Sequence, residues 1–193
     1  MNQGMLDGYG YPVPRMINIR EILAEHILSQ AQAAIDSRDY GIADLNLWNK
    51  IEIEFLGKST NTGASAIATN LTYDGDTAST SNQRELIQAS NSTLTASTGT
   101  GLGIMTLCTS AANMSYSFGT VEMWKKNGRV YSRSISHSRT SSTATITYII
   151  TRQGTVDTPY KYFTLTPSAG SFVAGSSIRI IGHRKIPYSG LVA

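Results

Sequence analysis

The sequence predicts a mainly β protein, a jelly-roll-type antiparallel β-sandwich preceded by an extended arm and one α-helix. Three observations point there. From Asn49 onward the apolar residues recur at every second position, the pattern of half-buried strands. Lys126-Asn127-Gly128-Arg129 lies between two such runs, and Asn-Gly is the strongest short-range hairpin signal, because both residues accept the positive φ of a type I′ turn. About eight or nine short runs succeed one another at roughly ten to fifteen residues with no helix between them, which suits a two-sheet sandwich.

Composition agrees. The 193 residues suffice for one domain and a small appendage. Charged residues make up 15%, against about 25% in an average domain. Ser, Thr and Asn supply the polar surface instead, and they crowd residues 57–147. Thr favours strands, and Ser and Asn favour turns. Such a composition is expected of a rigid β-protein that works outside the cytoplasm. The single Cys108 excludes an internal disulfide and a Cys-based zinc site. The start, Met1-Asn2-Gln3-Gly4, has no apolar signal region, and no apolar run approaches the about 20 residues that span a bilayer. The expectation is synthesis and folding in a host cytoplasm, with no membrane partner. The net charge of +3 divides into −4 for residues 1–56, −1 for 57–120 and +8 for 121–193. That layout favours oriented docking, unless the segments interleave in space and cancel.

Residues 1–17 read as an arm. Gly4, Gly8, Gly10, Pro12 and Pro14 exclude regular helix, yet Met5, Leu6, Tyr9, Tyr11, Val13, Met16 and Ile17 are apolar. These seven are the candidate contacts to a partner or lattice. Residues 18–36 predict the helix. Asn18 is a good N-cap with Glu21 three residues on, Ile17 and Ile22 can staple across the cap, and Ile19, Ile22, Leu23, Ile27, Ala31, Ala34 and Ile35 follow helical spacing. Residues 37–48 connect, with a short helical turn within 41–48. Residues 1–48 are therefore expected to serve attachment or oligomerisation, and 49–193 to form the sandwich.

Strands are expected at Ile51–Phe55, Ala66–Tyr73, Arg84–Ala89 and Ile104–Cys108. The hairpin of residues 113–136 follows. Its first arm carries Met114, Tyr116 and Phe118 on one side, and a phase slip at Gly119 then turns Val121 and Met123 to the apolar side. Its second arm alternates Arg129, Tyr131, Arg133 and Ile135 with Val130, Ser132, Ser134 and Ser136. Thr143–Thr151, Tyr160–Leu165 and Ser176–Gly182 complete the set.

No catalytic motif stands out, and an enzyme is not expected. Gly99-Thr100-Gly101-Leu102-Gly103 lacks the following helix that a dinucleotide loop needs. Asp74-Gly75-Asp76 reads as a turn before it reads as a calcium site, since only two oxygen donors are visible. His26, His137 and His183 share no ligand spacing. Glu52 and Glu54 share one strand face and read as its solvent side rather than as a glycosidase pair. No cofactor or metal is expected. Trp124, Lys125, Lys126, Arg129 and Tyr131 form the candidate exposed binding face. Basic residues beside aromatics suit nucleic acid, but solvated charge at a hairpin tip is the default, so nucleic acid is a minor reading.

Two stretches resemble a known group. Leu71-Thr72-Tyr73-Asp74-Gly75-Asp76-Thr77 resembles the N-G-D-T turn of tailed-bacteriophage virion proteins, with Asp74 where the leading Asn stands. Tyr160-Lys161-Tyr162-Phe163 and the run from Gly170 to Gly182 resemble the closing strand of their jelly roll, with Ile181 where an aromatic is common. The likeness covers roughly residues 49–185 and leaves 1–48 outside. It implies a non-enzymatic virion component, a capsid-decoration, head-fibre or tail-fibre protein. It further implies a homotrimer in contact with major capsid or tail proteins. A receptor-binding module for host glycan is the alternative, with Trp124, Tyr131, Tyr148, Tyr160 and Tyr162 as aromatic platform; a polysaccharide depolymerase lacks a credible carboxylate pair.

Overall fold

The computed structural model describes residues 16–62, 66–74, 83–90, 93–109, 116–139, 145–156 and 160–187. They form β1 (Met16–Ile27), β2 (Ile35–Asp36), β3 (Lys50–Ser59), β4 (Ala66–Tyr73), β5 (Gln83–Ser90) and β6 (Thr93–Thr100). β7 (Gly103–Thr109), β8 (Ser117–Lys126), β9 (Arg129–Arg139), β10 (Thr145–Val156), β11 (Phe163–Pro167) and β12 (Ser177–Pro187) follow. The helical content of the described residues is two short 3-10 turns, Ser37–Tyr40 and Leu45–Leu47.

The strands build a large antiparallel sheet in the order β1-β12-β3-β8-β9-β10-β5-β6 and a small one in the order β2-β11-β4-β7. A short parallel pairing of β3 with β7, Lys58 opposite Cys108, joins them at one corner. The arrangement is mainly β and sandwich-like. Period-two patterning places the core between the sheets. β3 turns Ile51, Ile53 and Phe55 inward, β12 adds Ile178 and Ile180, and β8 adds Val121 and Met123. The small sheet answers with Ile67, Leu71, Tyr73, Phe163 and Leu165. Phe172 closes one end, its ring 5.1 Å from Phe55 and its backbone bonded both ways to Gln32.

The helix expected over residues 18–36 is not there. Asn18 and Glu21 are ladder residues opposite Lys185 and Gly182, and β1 continues to Ile27. A bulge at Leu23, between the pairs of Ile22 and Ala24, explains the misleading pattern. One extra residue in a strand turns spacing of two into spacing of three and four, which mimics a helix. Backbone pairing with β12 then outweighs the helical propensity of these residues, which tertiary context commonly overrides. Leu28, Ile35, Ile42 and Leu45 are buried in the same core as the strands after Asn49. Trp48 packs on Gly182, where a Cβ would collide with the indole, so this position admits only glycine without displacing the ring.

The hairpin forms as expected, with positive φ at Asn127 (50°) and Gly128 (73°). The phase slip at Gly119 does not occur. β8 pairs with β3 and β9 without a register shift, Ser117, Gly119, Val121 and Met123 all face inward, and Phe118 faces out.

Four inward residues of β9 are serines: Ser132, Ser134, Ser136 and Ser138 are all buried. Small side chains let β7 approach, and their hydroxyls supply partners for its backbone. One edge of β7 pairs with β4. Toward β9, Ser134 Oγ donates to Ile104 O, the Thr106 amide donates to Ser136 Oγ (3.3 Å), and Ser138 Oγ donates to Thr106 O (2.7 Å). The Cys108 amide donates to Ser117 Oγ on β8, 2.6 Å away. Side chains thus satisfy the part of this edge that the short pairing with β3 does not cover, and all seven residues of β7 are buried. Buried Arg152 likewise donates to Leu71 O and Leu102 O, tying β10 to the small sheet.

Each serine hydroxyl matters because a buried backbone group left unbonded costs about 1–3 kcal/mol. Ser138→Ala is expected to lower unfolding free energy by about that amount, read from urea denaturation, while Ser138→Thr, which retains the hydroxyl, is expected to lose less.

Candidate functional site

The face of the large sheet turned away from the core gathers the charged and aromatic side chains. Register alone builds it. Glu54 stands opposite Arg179, which stands opposite Glu25. Glu52 stands opposite Glu122, which stands opposite Arg133. The outcome is a ladder of ion pairs across β1, β12, β3, β8 and β9. Arg20 reaches Glu54 (3.4 Å) and Glu52 (3.8 Å), and Arg179 reaches Glu25 (2.7 Å) and Glu54 (3.0 Å). His183 meets Glu52 at 2.9 Å, Lys50 meets Glu122 at 2.6 Å, and Arg133 binds the other Glu122 oxygen. Partly exposed pairs contribute only about 0–1 kcal/mol each. Their larger effect is on register, since a one-residue slip would turn Glu52, Glu54 and Glu122 into the core.

Arg179 and His183 from the basic end of the chain thereby meet Glu25, Glu54 and Glu52 from the acidic end, while Arg20 and Lys50 pair within the acidic end or reach out from it. The two ends of the chain therefore interleave in part along this face, at Arg179 and His183. Burial works against the charged form of Glu122, but hydrogen bonds from Lys50 and Arg133 outweigh it and hold the carboxyl below its ordinary value of 4.5. At Asp36 the Arg38 guanidinium does the same, holding that carboxyl below 3.8.

Beside the ladder runs an apolar band. Ile135, Ile149 and Ile87 stand in one row across β9, β10 and β5, and Leu56 stands opposite Phe118. All five are exposed, as are Ile27 and Leu94. Where band and ladder meet, a groove of about 530 Å³ lies among Ile27, Leu56, Phe118, Arg179, Glu25 and Glu54.

The hairpin tip divides the five residues of the expected binding face. Trp124 lies opposite Tyr131, their rings near parallel (12°) with centroids 5.9 Å apart. Lys126 and Arg129 pair on the same side, and Arg129 donates to Gly154 O at 3.3 Å. Lys125 alternates to the other face. The aromatic pair separates two grooves. One, of about 410 Å³, joins Trp124 to Asn18, Asn49, Lys50, His183 and Lys185. The other, of about 520 Å³, joins Tyr131 to Glu85, Thr98, Thr100, Thr151 and Gln153. The sequence reading missed these flanking residues, because they come from in and beside β1, β3, β12, β5, β6 and β10, and no local spacing unites them. Of the other platform aromatics, Tyr160 is buried, with its ring 5.6 Å from Tyr73.

Of the expected lattice contacts, Met5, Leu6, Tyr9, Tyr11 and Val13 lie outside the described residues. Met16 and Ile17 begin β1, opposite Pro187 and Ile186. Asp74 Oδ1 accepts from the amides of Lys161 (2.7 Å) and Tyr162 (2.8 Å), and Asp76 lies outside the described residues. The glycines after Thr100 connect strand to strand, β6 to β7. His26 lies near Tyr40, and His137 Nδ1 is 2.9 Å from Thr147 Oγ1. Among the described residues, no group of three or more His, Cys, Asp or Glu could hold a metal ion, and no helix is long and apolar enough to cross a membrane. No protein-family model matches the chain, and no curated protein matches it.

The lowered carboxyl values at Glu122 and Asp36 fix the direction of an acid effect. A carboxyl with a depressed folded value contributes its stability above its unfolded value and loses it as pH falls through the folded one. The parent is therefore expected to keep its urea midpoint from neutrality to about pH 5 and lose stability below about pH 4.5. Glu122→Gln, with no charge to neutralise, is expected to show a smaller drop between about pH 6 and about pH 3.

Proposed function

We propose that the protein is a non-enzymatic structural component of a tailed-phage virion. It is a capsid-decoration or fibre protein with a jelly-roll-type sandwich, assembled as a homo-oligomer of three copies and held to capsid or tail proteins by its N-terminal segment. One observation carries the reading. The two stretches that resemble phage virion proteins lie far apart in the chain yet fold against each other. Tyr73 at the end of β4 pairs with Phe163 at the start of β11, and Asp74, in the left-handed region at φ 50°, accepts both amides of Lys161-Tyr162. Tyr73-Asp74 and Lys161–Phe163 therefore pack as one unit, in which Asp74 supplies the carbonyl-like acceptor that an Asn can also supply. The outer sheet face adds support. Its charges are paired along the strands and its apolar residues lie in the open, a surface suited to broad contact with other proteins.

The N-terminal segment is tested by deletion of residues 1–15. Met16 and Ile17 remain, because they pair with β12. Multivalent attachment multiplies weak contacts, so the truncated protein is expected to keep its fold but to coat particles at a small fraction of parental occupancy. Full occupancy would remove the anchoring role.

The stacked Trp124–Tyr131 pair between two polar grooves favours a second reading, a platform for host surface carbohydrate. Sugar rings stack on aromatic faces, while amides, hydroxyls and charges such as Asn49, Lys50, Glu85 and Gln153 can bond their hydroxyls. On a glycan array, Trp124→Ala and Tyr131→Ala are each expected to abolish a signal that the parent gives. A signal retained by both variants would exclude this face.

A further inference from the structure

A β-sheet edge presents unpaired N–H and C=O groups, a template for any other strand, and folded proteins blunt such edges with charges, bulges, shortness or cover. Three of the four outer edges here are blunted. β1 is interrupted by the Leu23 bulge and carries Arg20, Glu21 and Glu25. β2 is two residues long. β7 is closed by serine hydroxyls and the β3 corner. β6 is different. It runs eight residues, Thr-Leu-Thr-Ala-Ser-Thr-Gly-Thr, with no charge and no proline. Its pairing with β5 is unbroken from Thr93↔Ser90 to Thr100↔Gln83, and every one of its side chains is exposed. Among the described residues, no strand lies beyond it.

We propose that β6 pairs antiparallel with β6 of a second copy of this chain about a two-fold axis, joining two large sheets into one. Electrostatics permits this occupant, because an uncharged strand meets its own copy without like-charge repulsion. A partner of other chemistry would have no charge on β6 to select it, whereas β6 meets itself without cost. The nearest charged positions, Arg84 and Glu85, lie one strand back on β5. Across the axis they stand three strand spacings apart, at least about 14 Å, beyond the screening length of about 8 Å at physiological salt.

The faces match as well. An axis perpendicular to the sheet keeps outer face on outer face, so residues of equal parity must meet and the axis passes through a residue. The two registers of longest overlap place it at Ala96 or Ser97. Either sets Thr or Ser beside small and threonine side chains, a favourable cross-strand pairing. Either also gives Leu94, which is 72% exposed and faces one strand neighbour, Ala89, a second neighbour. The band of Ile135, Ile149 and Ile87 then continues across the seam. This inference goes beyond the proposed function: a two-fold contact does not build the three-copy assembly but joins copies, or whole assemblies, in pairs, and it needs no virion.

The test uses the full chain alone. Sedimentation equilibrium at micromolar concentration is expected to give the parent an even multiple of the chain mass. Thr95→Lys/Ser97→Lys, which crowds four lysines around the axis, is expected to halve that mass with an unchanged far-UV circular dichroism spectrum. Ala96→Cys and Ser97→Cys, tested separately, are expected to yield a disulfide-linked pair on mild oxidation in one of the two, while the parent, whose lone Cys108 is buried, yields none. A parent that stays at one chain mass, or an assembly whose mass the lysines leave unchanged, would overturn the proposal. If the lysine variant loses its fold, the cysteine variants decide: a linked pair supports the contact and its absence overturns it. Failure here leaves arm-dependent particle coating untouched, so the two readings fail separately.

Discussion

The row of buried serine hydroxyls on β8 and β9 is the constraint on which the two-layer arrangement depends. A strand has two edges, and both must be bonded if it is buried. β7 gives one edge to β4, and beyond its short pairing with β3 at Cys108 and Thr109 the other would be bare in the interior. Ser134, Ser136, Ser138 and Ser117 bond it instead, at Ile104, Thr106 and Cys108. Leucines in their places would fill the space that β7 occupies and leave its carbonyls without partners. The small sheet can therefore meet the large one edge-on only because the inner residues of β9 are both small and polar.

That arrangement divides the labour between the two faces of the large sheet. The inner face carries apolar residues from β3, β8 and β12 and serines from β9. The outer face carries the ion ladder and, next to it, the exposed isoleucines. Since its inner face is committed to the small sheet, the large sheet can bind only through its outer face, the hairpin tip or an edge. The grooves beside Trp124 and Tyr131 belong to this surface, assembled from strands up to 167 positions apart in the sequence, between Asn18 and Lys185. The same logic separates edges that are closed from the one that is open. Bulge, charge, shortness and hydroxyls protect three of them, and β6 has none of these.

Much of the fold was legible locally. The Asn127-Gly128 turn specifies its hairpin because positive φ at both positions leaves little other choice. Ala66–Tyr73 reads as a strand because its inward residues alternate without interruption. β1 was not legible, because the Leu23 bulge shifts its pattern to helical spacing and good capping residues happen to flank it. β6 was passed over because Thr, Ser and Gly carry no apolar alternation. The inward serines were read correctly as one face of β9, yet nothing local says that this face is the buried one.

Of the binding face, the sequence reading picked out Trp124 and Tyr131, and the two-residue turn sets them opposite each other because residues equally distant from it pair across the hairpin. Periodicity and turn chemistry thus determined the β class, most strand positions and the hairpin register, all of which are properties of a few consecutive residues. Which side of each strand is buried, what lies beyond each edge and which charges pair are decided only when the strands meet. Those outcomes depend on contacts between residues far apart in the chain, and a hydroxyl or a carboxylate has no preferred partner until the fold supplies one.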